Sequence, residues 1–161
     1  MKPILIGLLF VVLFAASAAP AHAQTSPIQL ALFSPVQIVP ENESVAGFRL
    51  SLLYGKNANV TGFDWGLVTR TTGTGKGIQW GFVGMTDGDF TGWQHNFVSL
   101  TGGSFTGLQM GVYSSAGSMH GLQLGLINNA GSMNGVQIGL LNFIKSGGFM
   151  PFFPIANWGG L

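Results

Sequence analysis

Gly107-Leu-Gln-Met-Gly-Val-Tyr113, Gly121-Leu-Gln-Leu-Gly-Leu-Ile127 and Gly135-Val-Gln-Ile-Gly-Leu-Leu141 are three copies of one pattern, 14 residues apart. Towards the N-terminus the same frame fits Gly92-Trp-Gln-His-Asn-Phe-Val98, Gly77-Ile-Gln-Trp-Gly-Phe-Val83, Gly62-Phe-Asp-Trp-Gly-Leu-Val68 and Gly47-Phe-Arg-Leu-Ser-Leu-Leu53, now at intervals of 15. Repetition at one short period marks an array in which each unit packs on its neighbours. Within a unit the apolar residues alternate, which is the period of a strand. One face carries Leu122, Leu124 and Leu126, or Val136, Ile138 and Leu140. The other starts with glutamine and glycine, such as Gln123 and Gly125, and ends on an apolar residue such as Ile127. A helix would need a period of 3.6 and would lose ~1 kcal/mol at each of these glycines.

The connections repeat too. Phe90, Phe105, Met119 and Met133 each stand two residues before the next unit's glycine. A turn facing only water has no use for a large apolar residue. A second, short strand is therefore predicted, dropping these four into a core opposite the main strands.

Two all-β architectures suit this period. The favoured one is a parallel β-solenoid of about seven 14–15-residue coils, with N- and C-terminal caps. Like residues then stack ~4.8 Å apart, giving a rod roughly 34 Å long. Gln79, Gln94, Gln109, Gln123 and Gln137 would form a ladder of amides along its surface. The alternative is a small antiparallel outer-membrane β-barrel, with its apolar face on lipid and its glutamines and glycines in the lumen. The connections are all of one kind, whereas barrel loops at the two ends are unlike. Trp65 and Trp80 fall in mid-strand rather than at an interface, and His95 would face lipid. These points favour the solenoid.

Residues 1–23 read as a secretion signal, with Lys2, the apolar run from Ile4 to Ala16 and the cleavage pattern Ala21-His22-Ala23. Residues 24–46 form an N-terminal cap or lead-in strand around Ile28-Gln-Leu-Ala-Leu-Phe33, and 47–148 are the repeat domain. Residues 149–161 form a cap rich in proline and aromatics. Pro151 and Pro154 cannot donate ladder hydrogen bonds, which suits a segment lying over the last coil's open edge.

Beyond the signal, Arg49, Lys56, Arg70, Lys76 and Lys145 balance Glu41, Glu43, Asp64, Asp87 and Asp89. With no basic stripe, nucleic acid is excluded as a partner. The absence of cysteine excludes disulfides, thiolate metal sites and a thiol nucleophile. No later apolar run reaches the ~20 residues of a membrane helix. Twenty-six glycines in a chain that is 47% hydrophobic point to tightly packed β structure rather than disorder.

Candidate chemistry is sparse. His95 lies on the apolar face and His120 in a turn, and both read as structural. Asp87-Gly88-Asp89 could offer carboxylates to calcium, but the pair occurs once where calcium-binding rolls repeat it, so a plain turn is expected. Asn42-Glu-Ser44 and Asn59-Val-Thr61 match a glycosylation pattern common by chance. There is no nucleophile elbow with a histidine and an acid, and no phosphate loop. No catalytic, metal-binding or cofactor-binding residue is assigned, and an enzyme is not expected. The glutamine ladder offers a flat face for a polysaccharide, a crystal surface or a partner sheet; its plainer role is amide pairing between coils. The row Val68, Val83, Val98, Tyr113, Ile127 and Leu141 is expected at a coil corner, against another subunit or in a membrane. Exposed, it would exceed the apolar patch of a soluble monomer.

The repeated Gly-x-Gln-x-Gly units and the Pro-Phe-Phe-Pro ending resemble a bacterial family of surface-repeat-containing proteins, from about Ile28 to Trp158. Departures are Asn96 for the second glycine of the fourth unit, and Arg49 and Asp64 in place of glutamine in the first two. The resemblance implies export and display at the surface. It implies no established activity and no catalytic residues. The expectation is thus an exported, non-enzymatic repeat protein with a structural or interaction role at the bacterial envelope, in the periplasm, outer membrane or cell surface. Its candidate partners are envelope components, glycan or further copies of itself, with membrane association left open. A barrel would instead serve anchoring or permeation.

Overall fold

The computed structural model describes residues 25–160, so the signal predicted over 1–23 lies outside the described residues. The strands are β1 (Thr25–Phe33), β2 (Val36–Gln37), β3 (Ser44–Asn57), β4 (Val60–Thr71), β5 (Gly75–Thr86), β6 (Phe90–Ser146) and β7 (Phe152–Gly159). They form one sheet in the order β2-β1-β3-β4-β5-β6-β7. β1, β3, β4, β5 and the start of β6 pair in parallel, and Gly47, Gly62, Gly77 and Gly92 stand in one register. β6 then winds on through corners at Gly107, Gly121 and Gly135, each stacked on the glycine one winding below. The chain is a parallel β-solenoid. Neighbouring windings run the same way in an open stack, which discards the antiparallel barrel.

The corner glycines explain the period. Their φ angles lie between 117° and 149°, a region closed to side chains. A β-carbon there would also lie only 2.0–2.3 Å from the carbonyl oxygen of the winding below. The change from 15 to 14 residues is absorbed in the turn. Gly102-Gly103-Ser104 separates the buried Thr101 from the buried Phe105, whereas Gly117-Ser118 alone separates Ala116 from Met119.

The ends are finished differently. β1 is itself a rung, with Ile28 beside Phe48 and Gln29 beside Arg49. The two-residue β2 lies antiparallel on the outer edge of β1. At the other end β7 lies antiparallel on the last winding, from Gly135 beside Gly159 to Phe143 beside Phe152. Both terminal windings thus carry a strand running against the rest, which occupies edge groups that would otherwise pair with another chain.

Phe90, Phe105, Met119 and Met133 are buried, and with Ala116, Ala130 and Ile144 they form one apolar cluster. Val39, Val45 and Val60 form a second. Gly75 separates the two: a β-carbon on it would lie 2.4 Å from the Phe90 ring, which fills that space and stacks on Phe105. Facing this core, however, are the glutamines and not the leucines. Gln79, Gln94, Gln109, Gln123 and Gln137 are at most 1% exposed. The ladder expected on the surface lies inside, and the apolar face of the main strands points outward.

The reversal has a physical cause. A winding this short leaves room for about one layer of side chains between its two strand segments. Flat amides fill such a layer and satisfy themselves within it. Gln109, Gln123 and Gln137 each donate from Nε2 to the glutamine one winding below, at 2.9, 2.7 and 2.7 Å. The same nitrogens reach across the interior to the carbonyls of Ser115, Asn129 and Phe143. Buried amides are stable once their hydrogen bonds are made, so the glutamine column lies inside beside the buried column of Phe90, Phe105, Met119 and Met133.

Candidate functional site

Three apolar columns run along the outside of the main strand segment. The first passes from Ile28 through Phe48, Phe63, Ile78 and Trp93 to Val136. The second takes in Leu30, Trp65, Trp80, His95, Met110 and Ile138. The third takes in Leu32, Leu67, Phe82, Phe97, Leu126 and Leu140. Parallel stacking places like beside like, so rings lie flat on rings. Phe48 stacks on Phe63 at 5.7 Å and Phe82 on Phe97 at 4.9 Å, both nearly coplanar. Trp80, Phe82 and Phe97 nevertheless remain 49–50% exposed. No charged side chain enters these columns.

Between the second and third columns the strand backbone forms the floor of a groove. One stretch, about 390 Å³, is walled by Trp65 and Trp80 on one side and Leu67 and Phe82 on the other, above Gly66 and Gly81. The next, about 470 Å³, runs from Trp80 past His95 and Met110 to Leu124, opposite Phe97 and Val112. Trp80 and Gly81 belong to both, so the groove is continuous along the rod. Chemically it offers flat aromatic and aliphatic walls. His95 is the one ionisable side chain in it, and its ring lies against Trp80 and Trp93.

The interior ladder ends on charge. Gln79 donates to Asp64 Oδ2 at 2.9 Å, and Gln94 donates to Gln79 at 2.8 Å. Asp64 in turn holds Arg49 through two bonds. Every amide therefore points its nitrogen towards the N-terminal end, where a carboxylate is the acceptor such a chain needs. At the opposite end the Gln137 oxygen has no hydrogen-bond partner. Arg49 completes its bonds with the carbonyl of Arg70 and the hydroxyl of Thr71. Unlike the outward columns, the ladder is sealed from any partner. Sequence reasoning left Arg49 and Asp64 as departures from the pattern. Opposite charges 15 residues apart, at the same place in adjacent units, were the signal that they pair.

The remaining candidates serve the frame. Asp87 pairs with Arg70 at 3.0 Å, and Asp89 accepts the Ser104 amide at 2.7 Å, so both acids of the Asp87-Gly88-Asp89 turn are engaged locally. His120 is exposed beside Ser118. Among the described residues no three His, Cys, Asp or Glu side chains gather as metal ligands would, and no helix is long and apolar enough to cross a membrane. Val68, Val83, Val98, Tyr113 and Ile127 are partly buried where the winding turns its corner, while Leu141 is exposed. On the segment beyond that corner Lys56 binds Glu41 at 2.8 Å. The Lys56 ammonium, helped by a hydrogen bond from Ser34, holds the Glu41 carboxyl below its ordinary value.

Fold and face together define a solenoid whose interior sets an amide ladder against buried apolar clusters and whose main sheet is apolar on its outer face. No family model, curated protein or solved structure matches this chain.

Proposed function

We propose that the chain is an exported, non-enzymatic repeat protein with a structural or interaction role at the bacterial cell envelope or surface, acting through its outward apolar face. The observation that carries this reading is the orientation of the columns from Ile28 to Leu140. They lie outside the core and stack only on one another along the rod, so their outer faces stay uncovered in the single chain. An apolar area of this extent exceeds the roughly 300–600 Å² patch of an ordinary soluble monomer. The signal-like residues 1–23 support export, and the resemblance to surface-repeat proteins supports the envelope as destination. A passive mechanism suits the inventory: a rigid, regular surface held in place by the amide ladder beneath it.

Fractionating bacterial cells that express the full chain tests the proposal. The wild type is expected with the envelope. The variant Leu67→Thr/Phe82→Thr/Phe97→Thr keeps residues that favour strands and removes the third column's bulk. It is expected to fold and to move to the soluble fraction. Retention of both proteins in the cytosol, or an unchanged envelope distribution of a folded variant, overturns the reading.

A further inference from the structure

We infer that the apolar face is covered by a second copy of the same chain, the two solenoids lying sheet to sheet. The inference rests on the reading of this face as an interaction surface and names its occupant.

Area is the first argument. Each outward side chain tiles about 33 Å², from ~4.8 Å between windings and ~6.8 Å between alternate residues. Three columns over β1, β3, β4, β5 and the four windings of β6 that start at Gly92, Gly107, Gly121 and Gly135 then tile about 780 Å². A standard stable interface takes about 800 Å² from each partner. The face is thus about the size one partner of the same shape would cover.

Shape is the second. Three ridges with grooves between them form a corrugated sheet whose spacing is its own complement. Shifted by half a column, the ridges of one copy enter the grooves of the other, as the inner faces of packed sheets do about 10 Å apart. The groove beside Trp80 and Phe97 is then filled by the partner's ridge. A two-fold arrangement of this kind closes on itself. β2 and β7 on the terminal windings leave the sides of the rods, rather than their ends, as the place to associate.

Charge is the third, and it separates a second copy from a lipid surface. A peripheral protein on anionic headgroups carries free cations along the rim of its apolar face. Here Lys56 is bound to Glu41 and Arg70 to Asp87, which leaves Lys76 and Lys145 as exposed lysines without an ion pair among the described residues, two isolated charges instead of the cluster of roughly 4–8 that anionic headgroups recruit. The columns hold no aspartate, glutamate, lysine or arginine, so two copies bring no such charges face to face.

Measuring the molar mass of the purified chain by light scattering during gel filtration tests this, with tryptophan emission alongside. At micromolar concentration a dimer is expected, with Trp65, Trp80 and Trp93 emitting as buried indoles. The Leu67→Thr/Phe82→Thr/Phe97→Thr variant is expected to dissociate, its dimer constant weakened about a hundredfold or more, with unchanged circular dichroism. Val83→Thr/Val98→Thr, at the corner and outside the three columns, is expected to stay dimeric. A wild-type monomer at tens of micromolar overturns the inference, as does a monomer that floats with phosphatidylcholine vesicles, which would make lipid the occupant. If the wild type is monomeric yet the triple variant leaves the envelope, pairing fails and the interaction reading survives. If the wild type is dimeric and the variant stays at the envelope, pairing stands and the envelope role of this face fails.

Discussion

Arg49 and Asp64 form a two-pronged ion pair within the solenoid, Nε to Oδ1 at 2.7 Å and Nη2 to Oδ2 at 2.6 Å, with neither side chain more than 5% exposed. They occupy the glutamine position of adjacent windings, so the pair stands in for two rungs of the ladder. Removing one partner strands the other charge in the interior. Arg49→Met is expected to cost roughly 3–5 kcal/mol. The double variant Arg49→Gln/Asp64→Gln continues the amide chain and should recover most of that loss. Urea unfolding of the three proteins checks both. A double variant no better than Arg49→Met would show that the charges do more than fill the ladder.

Gln109 tests the ladder where it is uniform. It donates to Gln94 and accepts from Gln123. Gln109→Leu fits the space but leaves its neighbours' polar atoms short of partners. Each buried unpaired group costs about 1–3 kcal/mol, so a loss of roughly 2–4 kcal/mol is expected in urea or heat. A surface glutamine would change stability by less than ~0.5 kcal/mol. The measurement therefore reads inside from outside directly.

Gly107 sits at a corner with φ of 129°, and a β-carbon there would meet the Gly92 oxygen at 2.1 Å. Gly107→Ala is expected to lower stability by at least ~1–3 kcal/mol through backbone strain alone. Gly117→Ala, in the turn, has no positive φ but the same crowding, with Gly102 oxygen at 2.3 Å. Melting temperatures of the two separate strain from clash: the corner substitution should be the worse.

The Glu41–Lys56 pair gives a modest pH dependence. The Glu41 carboxyl titrates lower in the folded chain, so its contribution is present above its ordinary value of 4.5 and is lost as pH falls through the folded value. Lys56 titrates higher because Glu41 accepts its hydrogen bond, so its contribution is present below its ordinary value of 10.5 and is lost as pH rises through the folded value. The melting temperature of Lys56→Ala should fall slightly below that of wild type near neutral pH. The gap should close under strong acid and shrink in high salt, as for any solvent-facing pair. A gap that persists in acid would contradict the assignment.

Much of the backbone was legible. Seven glycines at fixed intervals, the alternation between them, and the uniform connections led to a parallel solenoid, and the placement of Phe105 and Met119 in the core was readable from their offset to the next glycine. The polarity of the sheet was not. Alternation says that Leu122, Leu124 and Leu126 share a face and that Gln123 takes the other; it does not say which face looks inward. Apolar bulk ordinarily settles that question. Here the glutamines take the inner face, where each amide bonds to the next along the stack, and Trp65 and Trp80 stay outside. The groove at Trp80 and Phe97 was hidden for the same reason, since a face assigned to the core offers no surface to search.

The one-way amide chain from Gln137 down to Asp64 also bears on how long such a protein can become. Inserting a whole winding between Gln79 and Gln137 hands every donor a fresh acceptor and every acceptor a fresh donor. The join is chemically invisible, while the charged plug at Asp64 and the reversed strand after Ile144 stay where they are. Duplication or loss of single units within the tract can therefore lengthen or shorten the molecule by one step at a time without redesigning either terminus.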